Sequence, residues 1–184
     1  HNGNIEVGHG VPGLLAEELK RKFPEIVYAA ASTSWDDMHM TFTIGNNVNK
    51  ETGNFAGADW FKMFSVPLLA GAPATALSTP GGLAISRKLA VKYFGSPVAA
   101  MGKTVRIDTK KDYLVTAVFE DLPDISSKKY DFLLSWQDCL ERNEWMKNWN
   151  NNGPLAYIQV RPDTDMEKLQ AKMKHFLTAY NKGL

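Results

Sequence analysis

The strongest constraint on the fold is an almost entirely apolar run in the middle of the chain, YLVTAVF at residues 113–119. A run of this length suits one strand, and because it offers no polar face it predicts a strand covered on both sides. Just before it, Val105 and Ile107 alternate with polar residues, which predicts a second strand with one face in water. The centre of the chain therefore predicts a sheet with other layers packed against it.

Elsewhere in the chain, hydrophobic periods typical of strands and of helices follow one another irregularly. Alternating or short apolar segments predict strands at residues 26–35, 40–44, 83–85, 130–134 and 155–160. Apolar spacing and capping residues predict helices at 12–23, at 60–64 after Asp59, at 87–94 after Ser86, and after a capping box of Thr164 and Glu167. The Asn-rich residues 46–54 are typical of a turn or a ragged hairpin. Because no strand–helix unit repeats, the pattern predicts the α+β class.

Composition excludes several kinds of partner and site. With 21 basic and 20 acidic side chains the formal charge is +1, so the chain lacks the positive field that nucleic acid would require. Its one cysteine, Cys139, cannot form an internal disulfide and is predicted to be a small buried residue on a short helix. The longest uncharged stretch, residues 63–86, is broken by three prolines and is not predicted to span a membrane. Because the chain starts with His1, we expect it to be an excised fragment.

Two short segments resemble chemical motifs of enzymes. Residues 102–104 (Gly-Lys-Thr) look like the end of a phosphate-binding loop, but Pro97 stands where that loop needs glycine. We therefore predict a turn before a strand and no nucleotide site. Asp121 and Asp124 could form a catalytic carboxylate pair, yet they lie in a proline-containing loop where water would screen them. This disfavours a hydrolase.

A third group has the side chains of metal ligands. Asp36, Asp37 and His39 lie within four residues, but no second cluster of ligands is evident, which favours a solvated turn. The sequence therefore predicts no catalytic, cofactor-binding or metal-binding residue.

One segment is unusual because it combines tryptophan with asparagine. Trp145 and Trp149 stand close to asparagines at 148 and 150–152, and Trp136 precedes them. Since tryptophan is enriched at contact surfaces, Trp145, Trp149 and Asn151 are candidate contacts for a partner. The alternative is that the rings fill the core beneath a long loop.

Several short motifs occur in an order that resembles a known family. They are ADWFKMFS at 58–65, PLL at 67–69, Gly71, TAL at 75–77, AIS at 84–86, Ala90, KYFG at 92–95, GKTV at 102–105, and residues 115–123. Together they resemble the extracytoplasmic core domain of MacB/FtsX-like ABC transporter permeases. The resemblance is strong over residues 58–135 and weaker before Pro24 and over 155–180.

This resemblance implies a topology and a two-lobed fold. Such a domain lies between the first and second transmembrane helices of a permease, on the periplasmic side of the bacterial inner membrane. A porter-like lobe would contain both chain ends, residues 1–54 and 153–184, and a sabre-like lobe, residues 55–152, would be inserted between them. Before the first helix only residues 5–7 (Ile-Glu-Val) offer a strand, which departs from the edge pairing usual in the family.

The resemblance also implies a mechanism without bond chemistry in this domain. A separate cytoplasmic subunit or domain would hydrolyse ATP, and the partners would be that ATPase, the chain's own membrane helices, a second permease protomer and a periplasmic adaptor. The motion would drive export or release of an antimicrobial compound, a peptide or a lipoprotein. The competing hypothesis is a free-standing soluble binding or adaptor protein that uses the loop of Trp145 and Trp149.

Overall fold

A computed structural model describes residues 10–34, 38–126 and 129–182 of the chain. The helices are α1 (Leu15–Lys22), α2 (Trp60–Met63), α3 (Arg87–Phe94), α4 (Pro97–Ala100), α5 (Trp136–Arg142) and α6 (Met166–Lys182). The strands are β1 (Ile26–Ser32), β2 (Met38–Ile44), β3 (Asn47–Ala56), β4 (Leu68–Ala70), β5 (Gly82–Ser86), β6 (Thr104–Ile107), β7 (Lys111–Phe119), β8 (Phe132–Ser135) and β9 (Leu155–Val160). This irregular mixture confirms the predicted α+β class.

The strands form one mixed sheet that closes on itself. Its order is β2-β6-β7-β5-β8-β3-β1-β9, with β4 added to β7. Because β2 also pairs with β3, the six strands from β2 to β3 form a closed ring, and β1 and β9 extend the sheet from β3. β5 runs parallel to β7 and β3 runs parallel to β8, while the other pairs are antiparallel.

The core lies on both faces of the central strands. Every residue of β5 is buried: Leu83 and Ile85 join the larger apolar cluster, and Ala84 faces a second cluster around Trp60. The prediction that β7 is covered on both faces is correct only for its last part. Residues 117–119 are all buried, whereas Leu114 is 49% exposed, because the outer face of β7 is open near its start.

Of the two alternatives predicted for residues 46–54, the hairpin is confirmed and is regular rather than ragged, whereas a turn over the whole segment was wrong. Only Gly45 and Asn46 turn the chain, and Ile44 pairs with Asn47 at the start of a ten-residue strand. Gly45 has φ +57°, a conformation that glycine adopts without strain. The asparagines of β3 extend because β2 pairs with them along its whole length, which overrides their low strand propensity.

The two ends of the described chain lie together. β1 pairs with β9, and α1 packs against both strands. Leu15, Leu19 and Phe23 are buried as their spacing predicts, although the helix itself begins at Leu15 rather than at Pro12. The ring of Phe176 on α6 packs edge-on against the ring of Phe23, which directly follows α1, and the two ring centroids are 5.6 Å apart. This apolar contact connects the two terminal helices.

The predicted helix caps were partly correct. Ser86 caps α3 by accepting a hydrogen bond from the backbone N–H of Leu89, and Gly95 ends that helix with φ +82°. The capping box of Thr164 and Glu167 was wrong. Asp165 accepts the N–H of Lys168 at 3.1 Å instead, and the hydroxyl of Thr164 makes no hydrogen bond.

The proposed division into two lobes stays a prediction. Its first boundary, after residue 54, falls within β3, whose partners β2 and β8 come from both proposed lobes. Residues 5–7 and Trp35, which enter two strand predictions, lie outside the described residues. Within the part of the chain that the structure describes, no helix has both the length and the hydropathy to cross a bilayer.

Candidate contact surface

Trp136 opens α5 and is a core residue. It is 1% exposed, and its indole Nε1–H donates a hydrogen bond to the carbonyl of Gly13 at 2.9 Å. This bond joins the segment before α1 to the segment after β8, more than a hundred residues apart in sequence. For Trp136 the core alternative is therefore confirmed.

Trp145 lies on the surface of a loop that we call the tryptophan loop, residues 143–154. It stands in a short 3-10 helix, Glu144–Lys147, and is 43% exposed. The edge of its ring lies over Gly153, where a Cβ atom would come within 2.9 Å of the ring. The side-chain amide of Asn151 donates to the carbonyl of Trp145 at 2.7 Å. Asn151 therefore holds the loop in shape, and its role as a partner contact stays a prediction.

Trp149 is half-buried and connects the tryptophan loop to α6. Its ring meets that of Phe176 at a centroid distance of 6.2 Å and an angle of 74°, a favourable edge-to-face geometry. It also packs against the larger apolar cluster. Trp149 thus serves the core, while part of its surface stays accessible.

The segment before α1 runs against the tryptophan loop. The N–H of Val11 donates to the carbonyl of Pro154 at 2.8 Å, and that of Gly13 donates to the carbonyl of Met146 at 3.2 Å. Gly10 approaches Gly153 so closely that a Cβ atom on Gly10 would lie 2.7 Å from the backbone nitrogen of Gly153. Glycine is therefore required where the two segments cross.

A groove opens between these segments and α6. Its volume is about 330 Å³, and it is half polar. The lining residues come from the N-terminal segment, α1, α6 and the tryptophan loop: Gly10, Val11, Pro12, Leu15, Leu177, Trp149, Asn150 and Asn152. The structure thus brings one predicted contact residue, Trp149, to a concave surface and places Trp145 beside it.

A second feature, which we call the Asp59 clasp, joins the chain ends to the middle of the chain. The Asp59 carboxylate pairs with Lys20 of α1, lies 2.9 Å from the ammonium group of Lys62, and accepts the N–H of Ala29 at 3.1 Å. Both lysines lie over the ring of Tyr28, at 5.8 and 5.7 Å from its centroid. One carboxylate therefore fastens α1, β1 and α2 together.

The clasp shifts the acidity of Asp59. Burial alone would raise the pKa of this carboxyl, since its side chain is only 5% exposed, but the hydrogen bonds from Lys20, Lys62 and Ala29 outweigh burial and lower it. The carboxylate is thus charged at neutral pH. The predicted capping of α2 by Asp59 was wrong, because the side chain makes no bond to that helix's backbone.

The backbone next to the clasp is also tightly packed. The N–H of Gly57 donates to the carbonyl of Ala31 at 2.8 Å. A Cβ atom on Gly57 would lie 2.8 Å from the Cα of Ala30, so the two strands approach more closely here than a side chain would allow.

Of the other residues weighed from sequence, Asp121 and Asp124 line one surface cleft of about 260 Å³, beside Lys88 and Lys129. Asp121 accepts the N–H of Lys88 in an exposed position, and Asp124 is fully exposed. The predicted turn lies at residues 101–103, and β6 begins at Thr104. His39 contacts the hydroxyl of Thr52, while Asp36 and Asp37 lie outside the described residues. Among the residues that are described, no three His, Cys, Asp or Glu side chains converge as metal ligands would.

Cys139 is buried on α5, as predicted. Burial raises the pKa of its thiol to about 12, against weaker opposing effects of Asn143 and Arg142. The thiol is therefore protonated and inaccessible, which excludes it as a nucleophile.

Neither the Asp59 clasp nor the contact of Phe176 with Phe23 and Trp149 was predicted from the sequence. Lys20 and Asp59 are 39 residues apart, and nothing in their local sequence indicates that they meet. The motif ADWFKMFS did contain Asp59, but the pattern indicated a helix cap, since aspartate before a short helix usually has that role.

Comparison with known proteins agrees with the resemblance found in the sequence. The family profile of the MacB-like periplasmic core domain matches residues 3–176. A domain from Porphyromonas gingivalis, described as part of a permease, is 27% identical and superposes with a TM-score of 0.74, over 94% of this chain and 78% of that one. No curated protein matches the chain.

Two further solved structures share the fold at lower identity. The periplasmic region of MacB from Actinobacillus actinomycetemcomitans is 14% identical with a TM-score of 0.64, over 94% of this chain and 75% of that one. The extracellular domain of the noncanonic ABC-type transporter YknZ from Gram-positive bacteria is 18% identical with a TM-score of 0.54, over 84% of this chain and 75% of that one.

Proposed function

The chain belongs to the MacB-like periplasmic core domain family, and from this premise we propose that it relays ATP-driven motion of a permease's membrane helices to a substrate. The substrate would be an antimicrobial compound, a peptide or a lipoprotein that is exported or released. The domain would stand in the periplasm, attached to the inner membrane of a bacterium. It would perform no bond chemistry, and ATP would be hydrolysed by a cytoplasmic subunit or domain.

The observation that carries this proposal is the way the fold joins its chain ends to its middle. A domain that transmits motion must resist deformation between the point where it is moved and the point where it acts. The closed ring of strands supplies one stiff part, and the Asp59 clasp with the Gly57 crossing fastens α1 and β1 to it. A movement applied to the chain ends would therefore carry the ring along.

We also propose that the domain acts as a lever, and that the two ends of this lever correspond to the two lobes of the family. Residues 1–54 and 153–184 would form the part attached to the membrane helices, and residues 55–152 the part that meets other molecules. The partners would be the ABC ATPase, a second permease protomer and a periplasmic adaptor.

The location of the domain is tested on the parent permease in intact cells. Val98, which is 78% exposed on α4, is replaced in a V98C variant, and cells with a permeabilised outer membrane are treated with a membrane-impermeant maleimide. Since Cys139 is buried and protonated, it should not react, and the parent permease without V98C is the control for any cysteine elsewhere. We expect V98C to be labelled in intact cells. Labelling that appears only after the inner membrane is broken would contradict the proposal.

A further inference from the structure

The asparagines of the tryptophan loop fall into two groups. The side-chain amides of Asn143 and Asn151 donate to backbone carbonyls at 2.9 and 2.7 Å, and the side-chain carbonyl of Asn148 accepts a backbone N–H at 2.9 Å. The side chains of Asn150 and Asn152 make no hydrogen bond within the described part of the chain, and both line the groove beside the loop. The loop therefore presents two amide groups to the groove that its own folding does not use.

The groove next to these amides carries no charge. None of its described lining residues is ionisable, and the ionised side chains of the loop, Glu144 and Lys147, pair with each other at 2.6 Å. Val11, Leu15 and Leu177 supply apolar surface from outside the loop. A charged ligand would find no opposite charge here, and a wholly apolar ligand would remove the amides from water without replacing their hydrogen bonds. The lining therefore suits an uncharged ligand that has both polar and apolar surface.

Two indole rings stand at the same groove in fixed positions. Trp149 lines the groove and packs on Phe176, with the ring centroids 6.2 Å apart. Trp145 lies beside the groove, 43% exposed, with the edge of its ring against Gly153. The face of an indole ring is partially negative and attracts the partially positive C–H groups of a ligand that stacks on it. Because both rings are held before binding, a ligand would not have to order them.

We propose that the groove binds a neutral saccharide, with sugar hydroxyl groups on the amides of Asn150 and Asn152 and sugar C–H groups against the two indole rings. An amide both donates and accepts hydrogen bonds, and neighbouring hydroxyl groups of a sugar can do the same in return. A pyranose ring combines hydroxyl groups at its edge with apolar C–H faces, which is the combination that the lining offers. The volume of about 330 Å³ lies within the range of small-ligand sites. This inference does not rest on the proposed function.

A proline-rich peptide is the other ligand that commonly packs on indole rings. Its carbonyl groups could accept hydrogen bonds from the amides, but proline has no N–H to donate. The amide oxygens of Asn150 and Asn152 would then be covered without a donor, which favours the saccharide.

The test titrates the ¹⁵N-labelled 184-residue chain with the neutral disaccharides maltose, cellobiose, lactose and N,N′-diacetylchitobiose. NMR follows the indole N–H of Trp145 and the side-chain amides of Asn150 and Asn152. A hexaproline peptide with blocked ends is titrated in parallel. We expect at least one disaccharide to shift these signals saturably at millimolar concentrations, as suits an open groove, and hexaproline to leave them unchanged.

Variants with a matched control locate the binding site. N150A/N152A removes both unused amides but keeps the backbone N–H that binds Asn148, and it should weaken disaccharide binding by about tenfold or more. N49A, at an exposed position on β3, should bind like the wild type. The backbone amide spectrum of each variant checks its fold. Unchanged affinity in N150A/N152A, no shift with any of the disaccharides, or the same shifts with hexaproline in their place would overturn the proposal.

Discussion

The Asp59 carboxylate has three donors from three elements: Lys20 of α1, Lys62 of α2 and the backbone of β1 at Ala29. Removing the charge leaves these donors without a matched acceptor, but both lysines are partly exposed and can turn to water. The expected cost is therefore that of a charged hydrogen-bond network at the edge of the core, about 1–3 kcal/mol.

D59N should lower the free energy of unfolding by about 1–3 kcal/mol at pH 7. The difference from wild type should shrink in acid. The pKa of Asp59 is lowered in the folded state, so its contribution is complete above the unfolded-state pKa of about 4 and is lost as the pH falls through the folded-state value. Urea unfolding at a series of pH values measures this. D163N, at an exposed position, is the control; a D59N deficit that stays constant into acid would contradict the clasp.

The two loop tryptophans should respond differently to truncation. W149A removes a half-buried ring that packs on Phe176 and should lower the free energy of unfolding by about 2–3 kcal/mol, less than for a fully buried ring. W145A removes a ring whose surface is largely in water and should cost under about 1 kcal/mol. Chemical denaturation of both variants measures the difference, and equal losses would show that Trp145 also serves the core.

At the scale of elements, local patterns predicted most helices and strands but not the contacts between them. The spacing of Leu15, Leu19 and Phe23 identified the buried face of α1, because a helix shows its face within a few turns of sequence. β3 could not be predicted in the same way. Its polar residues extend because β2 pairs with them, and that pairing is not encoded in the segment itself.

The start of α6 offers a direct comparison of the predicted and the observed cap. The main cause of the lowered pKa of Asp165 is the hydrogen bond that its carboxylate accepts from the backbone N–H of Lys168. The charged side chain therefore binds the first turn of α6. D165A should destabilise the start of the helix, because it removes the side chain that caps it. T164A should change little, since the threonine hydroxyl makes no hydrogen bond. Hydrogen exchange of the α6 amides reports both variants, and a larger effect of T164A would restore the original capping box.

At the scale of the whole molecule, a closed ring of strands is joined to the paired chain ends, and the proposed function uses this connection to transmit motion. The composition of the tryptophan loop indicated a surface of interest from sequence alone. It could not indicate that Trp136 is buried, because its indole N–H binds the carbonyl of Gly13, more than a hundred residues away in sequence. The Asp59 clasp was equally hidden, since its pairs join residues tens of positions apart.

If the domain transmits motion, it moves as one rigid unit when ATP is used, and this can be measured as distances between spin labels. The parent permease is reconstituted with its ATPase in lipid nanodiscs and labelled at V98C and D163C, both exposed positions. We expect the V98C–V98C distance between two protomers to change on trapping with ATP and vanadate, while the V98C–D163C distance within one protomer stays constant. An unchanged distance between protomers, or a changed distance within one, would contradict it.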